Sequence, residues 1–293
     1  MIVVAGGSGR LGRLVVADLL ARGERVTVLT RDPARARGIL AAGVDVVRVD
    51  VRDPSTLEQV CAGASVVVSA LHGFLGARAA GPEEVDRTGN HNLAHAALDA
   101  GSDVVLVSVL GADPHSPLDL SRAKFAAEQD LRGCGAAWTV VRAAPFLETW
   151  LNVLQQTAVR SGRPMVFGKG TRPVPFVSVT DVAALVSTAA TDTALRGQVL
   201  EIGGPALTVN DLAHAARSAG LWEGKPRRLP RALLSTMGLL ARPVAPAFAR
   251  QNRAALLMDT ISLGTGDPTL RERLGLPAAV TITDVLQADG APA

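Results

Sequence analysis

A glycine triplet stands near the start of the chain, in the segment GGSGRLG at residues 6–12. It follows an apolar run at residues 2–5 and precedes a helical pattern, so it joins a predicted strand to a predicted helix. A backbone without side chains turns tightly there and approaches a pyrophosphate, whose charge is favoured by the N–H groups at a helix N-terminus. The segment therefore predicts a dinucleotide site. The loop residues expected to contact the dinucleotide are Gly6, Ser8, Gly9, Arg10, Leu11 and Gly12.

Two arginines indicate which dinucleotide binds. The second predicted strand ends in Thr30 and Arg31, where a site for NAD normally carries an acidic residue. The guanidinium groups of Arg31 and of Arg10, which lies inside the glycine loop, suit the 2′-phosphate of NADP. The alternative interpretation is that both are solvated arginines. We predict NADP(H) as the cofactor.

The segment LSRAK at residues 120–124 raises the question of proton transfer. A reductase that uses a Tyr-x-x-x-Lys pair would carry tyrosine at position 120, but this chain has Leu120 there and contains no tyrosine. Hydride delivery to an isolated ketone leaves an alkoxide, which needs a proton donor. A quinone or a conjugated enone gives a delocalised anion instead, which demands less of the protein. The missing tyrosine therefore favours conjugated acceptors.

Three polar residues are candidates for catalysis. Lys124 is one of three lysines among 30 basic residues, and we expect its ammonium group to bond the nicotinamide ribose and stabilise developing negative charge. The alternative is a solvated lysine on an amphipathic helix. Ser108 ends a predicted strand, at the edge where open α/β sheets bind ligands. His115 lies in the following loop, where a histidine can replace the missing proton donor, and the alternative is a solvated histidine.

Short β-branched runs alternate with amphipathic stretches through residue 146, and these elements must position the candidate residues. The alternation predicts an α/β fold of the Rossmann type, with a doubly wound, mostly parallel sheet. Glycines are expected to end the intervening helices at positions 23, 43, 101 and 133. Strands are predicted at 2–6, 25–30, 44–50, 65–71, 103–111, 138–146 and 198–204, and helices at 11–23, 84–100, 120–132, 180–190 and 207–220.

The pattern also predicts two domains. Residues 1–146 form the NADP-binding domain, to which residues 174–204 are expected to return. Residues 147–173 and 205–293 form a smaller, mostly helical C-terminal lobe. Its apolar stretch at 231–248 predicts a pocket or lid for an apolar substrate, and the alternative is an ordinary packed helix pair.

Charge and composition limit the partners. The net charge is only +3 and the arginines are scattered, so we expect no nucleic-acid partner. Cys61 and Cys134 lie far apart without histidine partners at metal spacing, which favours a reducing compartment and no metal site.

A strand at the first residues leaves no room for a leader, so we expect a cytoplasmic protein. The apolar run at 233–241 is far shorter than the roughly 20 residues of a spanning helix, so we expect no membrane partner. A small-molecule substrate is expected. The sequence leaves open whether the chain forms a homo-oligomer.

Taken together, these segments resemble the atypical short-chain dehydrogenases/reductases, in particular their NmrA-like NAD(P)H-binding branch. The similar segments lie mostly within the first 204 residues and are GGSGRLG, VLTRDP, VDVRD, GNHNLAHAALDAG, VSVLGA, KFAAE, WTVVRAAPF, PVPFVSVTDVA and VLEIGG. The chain departs from the pattern at Leu120, which stands at the tyrosine position. The residues to which the resemblance assigns roles are Asp50 and Val51 at the adenine, Ala70, Leu71 and His72 along the ribose path, Pro145 and Phe146 near the nicotinamide, and Ser108 and Lys124 at the active-site positions.

The resemblance and the missing tyrosine leave three functions open. The first is an NADPH-dependent reductase of a flat, conjugated, apolar acceptor such as a quinone or an enone. The second is a non-catalytic sensor of NADP(H) that regulates a partner protein, as some NmrA-like proteins do. The third is an assembly role, because a related nucleotide-binding subunit occurs in respiratory complex I. Retention of Ser108 and Lys124 favours the reductase.

Overall fold

The computed structural model describes residues 1–41, 43–74, 76, 80–159, 161–241 and 244–290. The chain forms two compact units. The first comprises Met1–Arg142 and Val182–Glu201, and the second comprises Ala143–Asp181 and Ile202–Ala293. Compared with the boundaries expected from the sequence, residues 143–146, 174–181 and 202–204 fall in the second unit.

Seven strands form one sheet and two more form a small separate sheet. The strands of the described residues are β1 Ile2–Ala5, β2 Val26–Thr30, β3 Asp45–Arg48, β4 Val66–Ser69, β5 Asp103–Val109, β6 Trp138–Ala143, β7 Met165–Phe167, β8 Gln198–Ile202 and β9 Arg227–Leu229. The large sheet has the order β3-β2-β1-β4-β5-β6-β8, and β1 pairs in parallel with both β2 and β4. The pairs β2–β3 and β4–β5 are also parallel. The predicted Rossmann-type, mostly parallel sheet is confirmed.

The central strands are apolar throughout because both faces of a parallel sheet are covered by helices. All residues of β1 and β4 are buried. The chain passes from β1 to β2 on one side and places β4 on the other side, so the strand order reverses between β1 and β4. In open α/β sheets, ligands bind outside the carboxyl ends of the strands at such a point. The fold therefore directs attention to the loops that follow β1 and β4.

Twelve α-helices lie in the described residues. They are α1 Arg10–Ala21, α2 Pro33–Arg37, α3 Glu58–Cys61, α4 Gly89–Asp99, α5 Asp119–Cys134, α6 Leu147–Ala158, α7 Val179–Thr191, α8 Val209–Ser218, α9 Arg231–Ala241, α10 Pro246–Met258, α11 Leu270–Arg273 and α12 Ile282–Gly290. A π-helical turn, Glu83–Thr88, directly precedes α4. In the part of the chain that the structure describes, no helix combines the length and the hydropathy that a bilayer-crossing segment requires.

Glycines end two of the helices as predicted. Gly23 and Gly101 follow α1 and α4 with positive φ angles of 83° and 67°. The prediction for Gly133 is wrong, because this residue lies inside α5 and the helix ends at Gly135, whose φ is 95°. Gly43 has a φ of 87°, but it lies six residues beyond the end of α2. Helix α5 thus continues through Gly133, and Gly135 provides the left-handed turn that ends it.

The second unit has its own apolar core. Side chains from α6 and α8 pack together there with others that include Trp222 and Phe176. Helix α8 begins with a capping box, in which Thr208 and Asp211 satisfy each other's backbone N–H groups. The parallel pair of β7 and β9 also belongs to this unit. Neither strand is predicted by the sequence pattern.

Candidate nucleotide site

The glycine loop packs directly against the end of β4. Gly6 has a φ of 82°, and a Cβ atom added to it would lie 2.6 Å from the carbonyl oxygen of Ala70. A Cβ atom on Gly12 would lie 2.2 Å from the carbonyl oxygen of Gly6. The N–H of Gly9 closes the turn by donating to that same oxygen at 2.9 Å. Only glycine fits at positions 6 and 12, so the loop keeps bare backbone at the point where the strand order reverses.

Helix α1 presents an uncapped N-terminus next to this loop. It begins at Arg10 after Gly9, no side chain caps its first N–H groups, and its first turn contains no acidic residue. Leu11 is buried beneath the turn, whereas Arg10 is exposed. The Ser8 hydroxyl lies 3.4 Å from that of Thr30, which ties the loop to the end of β2. A helix N-terminus of this kind favours a phosphate group, so the glycine cradle fits the pyrophosphate of a dinucleotide.

Charged side chains also follow the ends of β2 and β3. Arg31 is exposed directly after β2. Arg52 forms a bidentate ion pair with Asp50, with its Nε 2.8 Å from Oδ1. The hydrogen bonds from Arg52, helped by the positive charge of Arg31, lower the pKa of Asp50 to about 2. Val51 directs its carbonyl oxygen to the side-chain amide of Asn92 at 3.0 Å. Asp50 is therefore a permanent carboxylate whose charge Arg52 already balances.

Lys124 forms a buried ion pair that the sequence pattern does not predict. Its Nζ atom lies 3.0 Å from Oδ1 of Asp86, and the two side chains are 2% and 0% exposed. Nζ also donates to the carbonyl oxygen of Leu71 at 2.9 Å. The other carboxylate oxygen of Asp86 accepts the backbone N–H of Gly73 at 2.8 Å. Through these two hydrogen bonds the Lys124–Asp86 pair fixes the backbone at Leu71 and Gly73, shortly after β4.

This burial excludes one of the two interpretations of Lys124. A charged ammonium group is stable in the interior only when it is paired and hydrogen-bonded. The solvated lysine is therefore wrong. The ammonium group pairs its charge with Asp86 and donates a hydrogen bond to Leu71. The bond from Lys124 to a nicotinamide ribose stays a prediction.

A series of hydrogen bonds continues from Asp86 to the last residue of β4. The side-chain amide of Asn90 donates to the carbonyl oxygen of Asp86 at 2.6 Å. The amide oxygen of Asn90 accepts the hydroxyl of Ser69, the last residue of β4. All three residues are buried. The loop after β4 is therefore fixed by bonds from the π-helical turn, from α4 and from α5.

Ser108 takes part in a separate buried network. Its hydroxyl donates to Oε1 of Glu128 at 2.6 Å. The guanidinium group of Arg142 binds Glu128 in bidentate fashion at 2.9 and 2.7 Å, and it reaches Glu201 at 3.0 Å. These hydrogen bonds raise the pKa of Arg142 above its ordinary value. Ser108 is 2% exposed, and its hydroxyl proton is used in the hydrogen bond to Glu128. The catalytic role of Ser108 stays a prediction.

The remaining predicted residues lie in several places. His115 is exposed in the loop between β5 and α5, and its backbone N–H donates to Asp113 at 2.7 Å. His72 is exposed after β4, with its ring centre 5.8 Å from that of Phe74. Pro145 and Phe146 belong to the second unit, where they contact Val177 through a backbone hydrogen bond and an isolated bridge.

Sequence reasoning missed the residues that hold Lys124 and Ser108. Asp86 and Asn90 recur at helical spacing with the buried Leu93 and Ala97. Polar residues on the apolar stripe of a helix are a signal of buried hydrogen bonding, because such groups are expensive to bury without partners. Glu128 repeats this signal on the buried side of α5.

Comparison with known proteins agrees with this geometry. The sequence model of a family described as NAD(P)H-binding matches residues 6–193. The chain is 29% identical over 289 residues to an NAD(P)H azoreductase of Xenophilus azovorans, with 92% of this chain and 94% of that protein covered. It is 29% identical over 287 residues to the (4-alkanoyl-5-oxo-2,5-dihydrofuran-3-yl)methyl phosphate reductase of Streptomyces griseus subsp. griseus, with 95% and 94% covered.

A solved structure shares the fold. The crystal structure of an NADPH-dependent quinone oxidoreductase of Escherichia coli, complexed with NADPH, superposes with a TM-score of 0.78. The match covers 98% of this chain and 99% of that chain, at 22% sequence identity. At this identity the similarity shows a common fold.

Proposed function

The chain belongs to the NAD(P)H-binding family, and from this premise we propose that it is an NADPH-dependent reductase of conjugated, apolar acceptors such as quinones and enones. The observation that carries the proposal is Leu120, which stands four residues before Lys124 in a chain without tyrosine. Hydride transfer to a conjugated acceptor gives a delocalised anion, so a dedicated proton donor is not needed for the step to be fast.

NADPH is the proposed cofactor because basic groups surround the adenosine end of the site. Arg10 and Arg31 are both exposed beside the glycine loop, and β2 ends in Thr30 instead of an acidic residue. A guanidinium group recognises a phosphate by paired hydrogen bonds, whereas an acidic residue at this point would repel it. Asp50 is not a substitute for that acidic residue, because Arg52 neutralises its charge.

The protein's own residues bind and position the reactants in this account. Backbone N–H groups at the start of α1 hold the pyrophosphate. Lys124 and Asp86 fix residues 71–73 beside it. When bound, NADPH supplies the hydride, and the proton that completes the reduction comes from solvent or from the exposed His115.

The names of the two relatives support the acceptor class. One is an NAD(P)H azoreductase, and the other reduces a methyl phosphate ester whose dihydrofuran ring carries an oxo and an alkanoyl substituent. In the second compound the ring double bond is conjugated with both carbonyl groups, so a negative charge formed on hydride addition is shared over several atoms. An acceptor of this kind suits a site with leucine at position 120.

The proposal is tested by following NADPH oxidation by the purified protein with quinones, conjugated enones and simple ketones. We expect turnover with the conjugated compounds and none with the ketones, and a lower rate with NADH at equal concentration. Turnover of ketones at a similar rate would contradict the proposal. Saturable NADPH binding without turnover of any acceptor would instead support the non-catalytic sensor.

A further inference from the structure

The second unit contains a small pocket of its own. Residues of α6, β7, α8 and α10 line it, together with the loop that follows β7. The free volume of the pocket, counted out to its mouth, is about 250 Å³. Sites that enclose a whole drug-sized ligand are usually larger, at roughly 300–1,000 Å³, so this pocket suits a single ring. Its lining residues include Trp150, Phe167, Arg172, Val209, Met258 and Asp259, which lie outside the stretch 231–248.

The walls of the pocket are mostly apolar and aromatic. Trp150 lies on α6 and Phe167 ends β7, and both side chains are partly buried. Val209, at the start of α8, and Met258, at the end of α10, add aliphatic surface. An aromatic side chain attracts another ring by offset or edge-to-face contact, in addition to the gain from burying apolar surface. The walls therefore favour a flat, apolar ring.

Arg172 lines the same pocket with a donor that has no acceptor. Its Nε–H is buried, and no group among the described residues accepts it. In the described part of the chain, no carboxylate forms an ion pair with its guanidinium group. A buried donor that is left unpaired costs free energy, and the cost is larger when the donor is charged. An anionic oxygen of a ligand would supply the missing acceptor.

Asp259 also lines the pocket, but its negative charge is already balanced. The Nε of Arg231 donates to Oδ2 of Asp259 at 2.6 Å, and the backbone N–H of Gly170 donates to Oδ1 at 2.8 Å. The backbone N–H of Lys169 contacts both carboxylate oxygens, at 3.1 and 3.0 Å. The positive charge of Arg172 is therefore the one that stays unbalanced among the described lining residues.

We propose that this pocket binds a small aromatic carboxylate. From its side, a guanidinium group offers its Nε–H and one Nη–H to the two oxygens of a carboxylate, and such paired bonds are strong. The ring then lies against Trp150 and Phe167. The site goes beyond the proposed function, because all of its lining residues belong to the second unit and none of them holds the nucleotide in that account.

The test is calorimetric titration of the full chain with benzoate, benzamide and acetate in the absence of NADPH. We expect benzoate to bind at least about tenfold more tightly than the other two, because benzamide lacks the charge and acetate lacks the ring. The absence of saturable benzoate binding overturns the proposal. Benzamide that binds as tightly as benzoate indicates an apolar site only, and acetate that does so indicates an anion site only. Either result also overturns it.

Matched variants locate the site. Arg172→Gln is expected to weaken benzoate binding about tenfold or more, and Arg172→Lys, which keeps the charge and loses the paired donors, should lie between it and the wild type. Arg228→Gln removes an exposed positive charge elsewhere in the second unit and should leave benzoate affinity unchanged.

Urea unfolding checks the fold of each variant. Arg172→Gln should keep the stability of the wild type, because the Nε–H that it removes makes no hydrogen bond among the described residues. Unchanged benzoate affinity in Arg172→Gln, or an equal loss in Arg172→Gln and Arg228→Gln, overturns the proposal. NADPH oxidation with conjugated acceptors, measured without benzoate, reports on the proposed function separately.

Discussion

Asp86 is what makes a buried lysine stable at position 124. The ammonium and carboxylate groups lie 3.0 Å apart with almost no exposure, and each also makes one hydrogen bond to the backbone, Lys124 to Leu71 and Asp86 to Gly73. Such a pair adds little net stability compared with apolar residues, but removal of one member leaves an uncompensated charge. Its effect on function passes through the segment after β4, which the nucleotide is expected to contact.

Lys124→Met is therefore expected to lower the free energy of unfolding by about 3–5 kcal/mol. The double variant Lys124→Met/Asp86→Leu is expected to recover most of the loss, because no charge is then left buried. Urea unfolding of the single and double variants measures both effects. The exposed Lys169 offers a control, since Lys169→Met should change stability by less than about 0.5 kcal/mol. Equal stability of the single and double variants would show that the pair is not coupled.

Arg31 is expected to select the phosphorylated cofactor. Arg31→Glu places at the end of β2 the acidic residue that NAD sites use, so NADPH affinity should fall at least about tenfold while NADH affinity is kept or improved. Fluorescence titration with both nucleotides measures this. Arg25→Glu reverses an exposed charge at the opposite end of β2 and should change neither affinity. A parallel loss of both affinities in Arg31→Glu would mean that Arg31 does not contact the 2′-phosphate.

At the scale of elements, the strands and helices of the first unit follow from local patterns. Runs such as IVVA and VVVS are apolar on both faces, so they predict central parallel strands, and the glycine loop marks the turn from β1 to α1. Long-range partners are not encoded locally. Asp86 meets Lys124 only because α5 packs against the π-helical turn. The pair β7–β9 joins three-residue strands 62 residues apart, which no sequence period can reveal.

The glycine loop itself can be tested with two alanine substitutions. Gly12→Ala places a Cβ atom 2.2 Å from a carbonyl oxygen, so the loop must move and NADPH binding should be lost. Gly133→Ala is the matched control, because its Cβ atom meets nothing within 4 Å inside α5. It should leave NADPH binding intact and raise stability by roughly 0.5–1 kcal/mol. Calorimetric titration measures binding, and full NADPH affinity in Gly12→Ala would contradict the proposed cradle.

At the scale of the whole molecule, the chain keeps its fold while its sequence diverges widely from its relatives. It is 22% identical to the quinone oxidoreductase that shares the fold and 29% identical to the azoreductase. The fold therefore persists at such identities. In the proposed function the choice of acceptor follows from position 120, where a leucine supplies no proton.

Transfer of deuterium from the cofactor to the acceptor distinguishes a reductase of conjugated acceptors from a protein that only binds NADPH. The purified protein is mixed with NADPH that carries two deuterium atoms at the reactive carbon of the nicotinamide, together with a conjugated enone, and the product is analysed by mass spectrometry and NMR. We expect one deuterium atom on the β-carbon of the reduced enone and none in a simple ketone treated in the same way. Deuterium in the ketone product, or bound NADPH that transfers it to no acceptor, would contradict the proposed function.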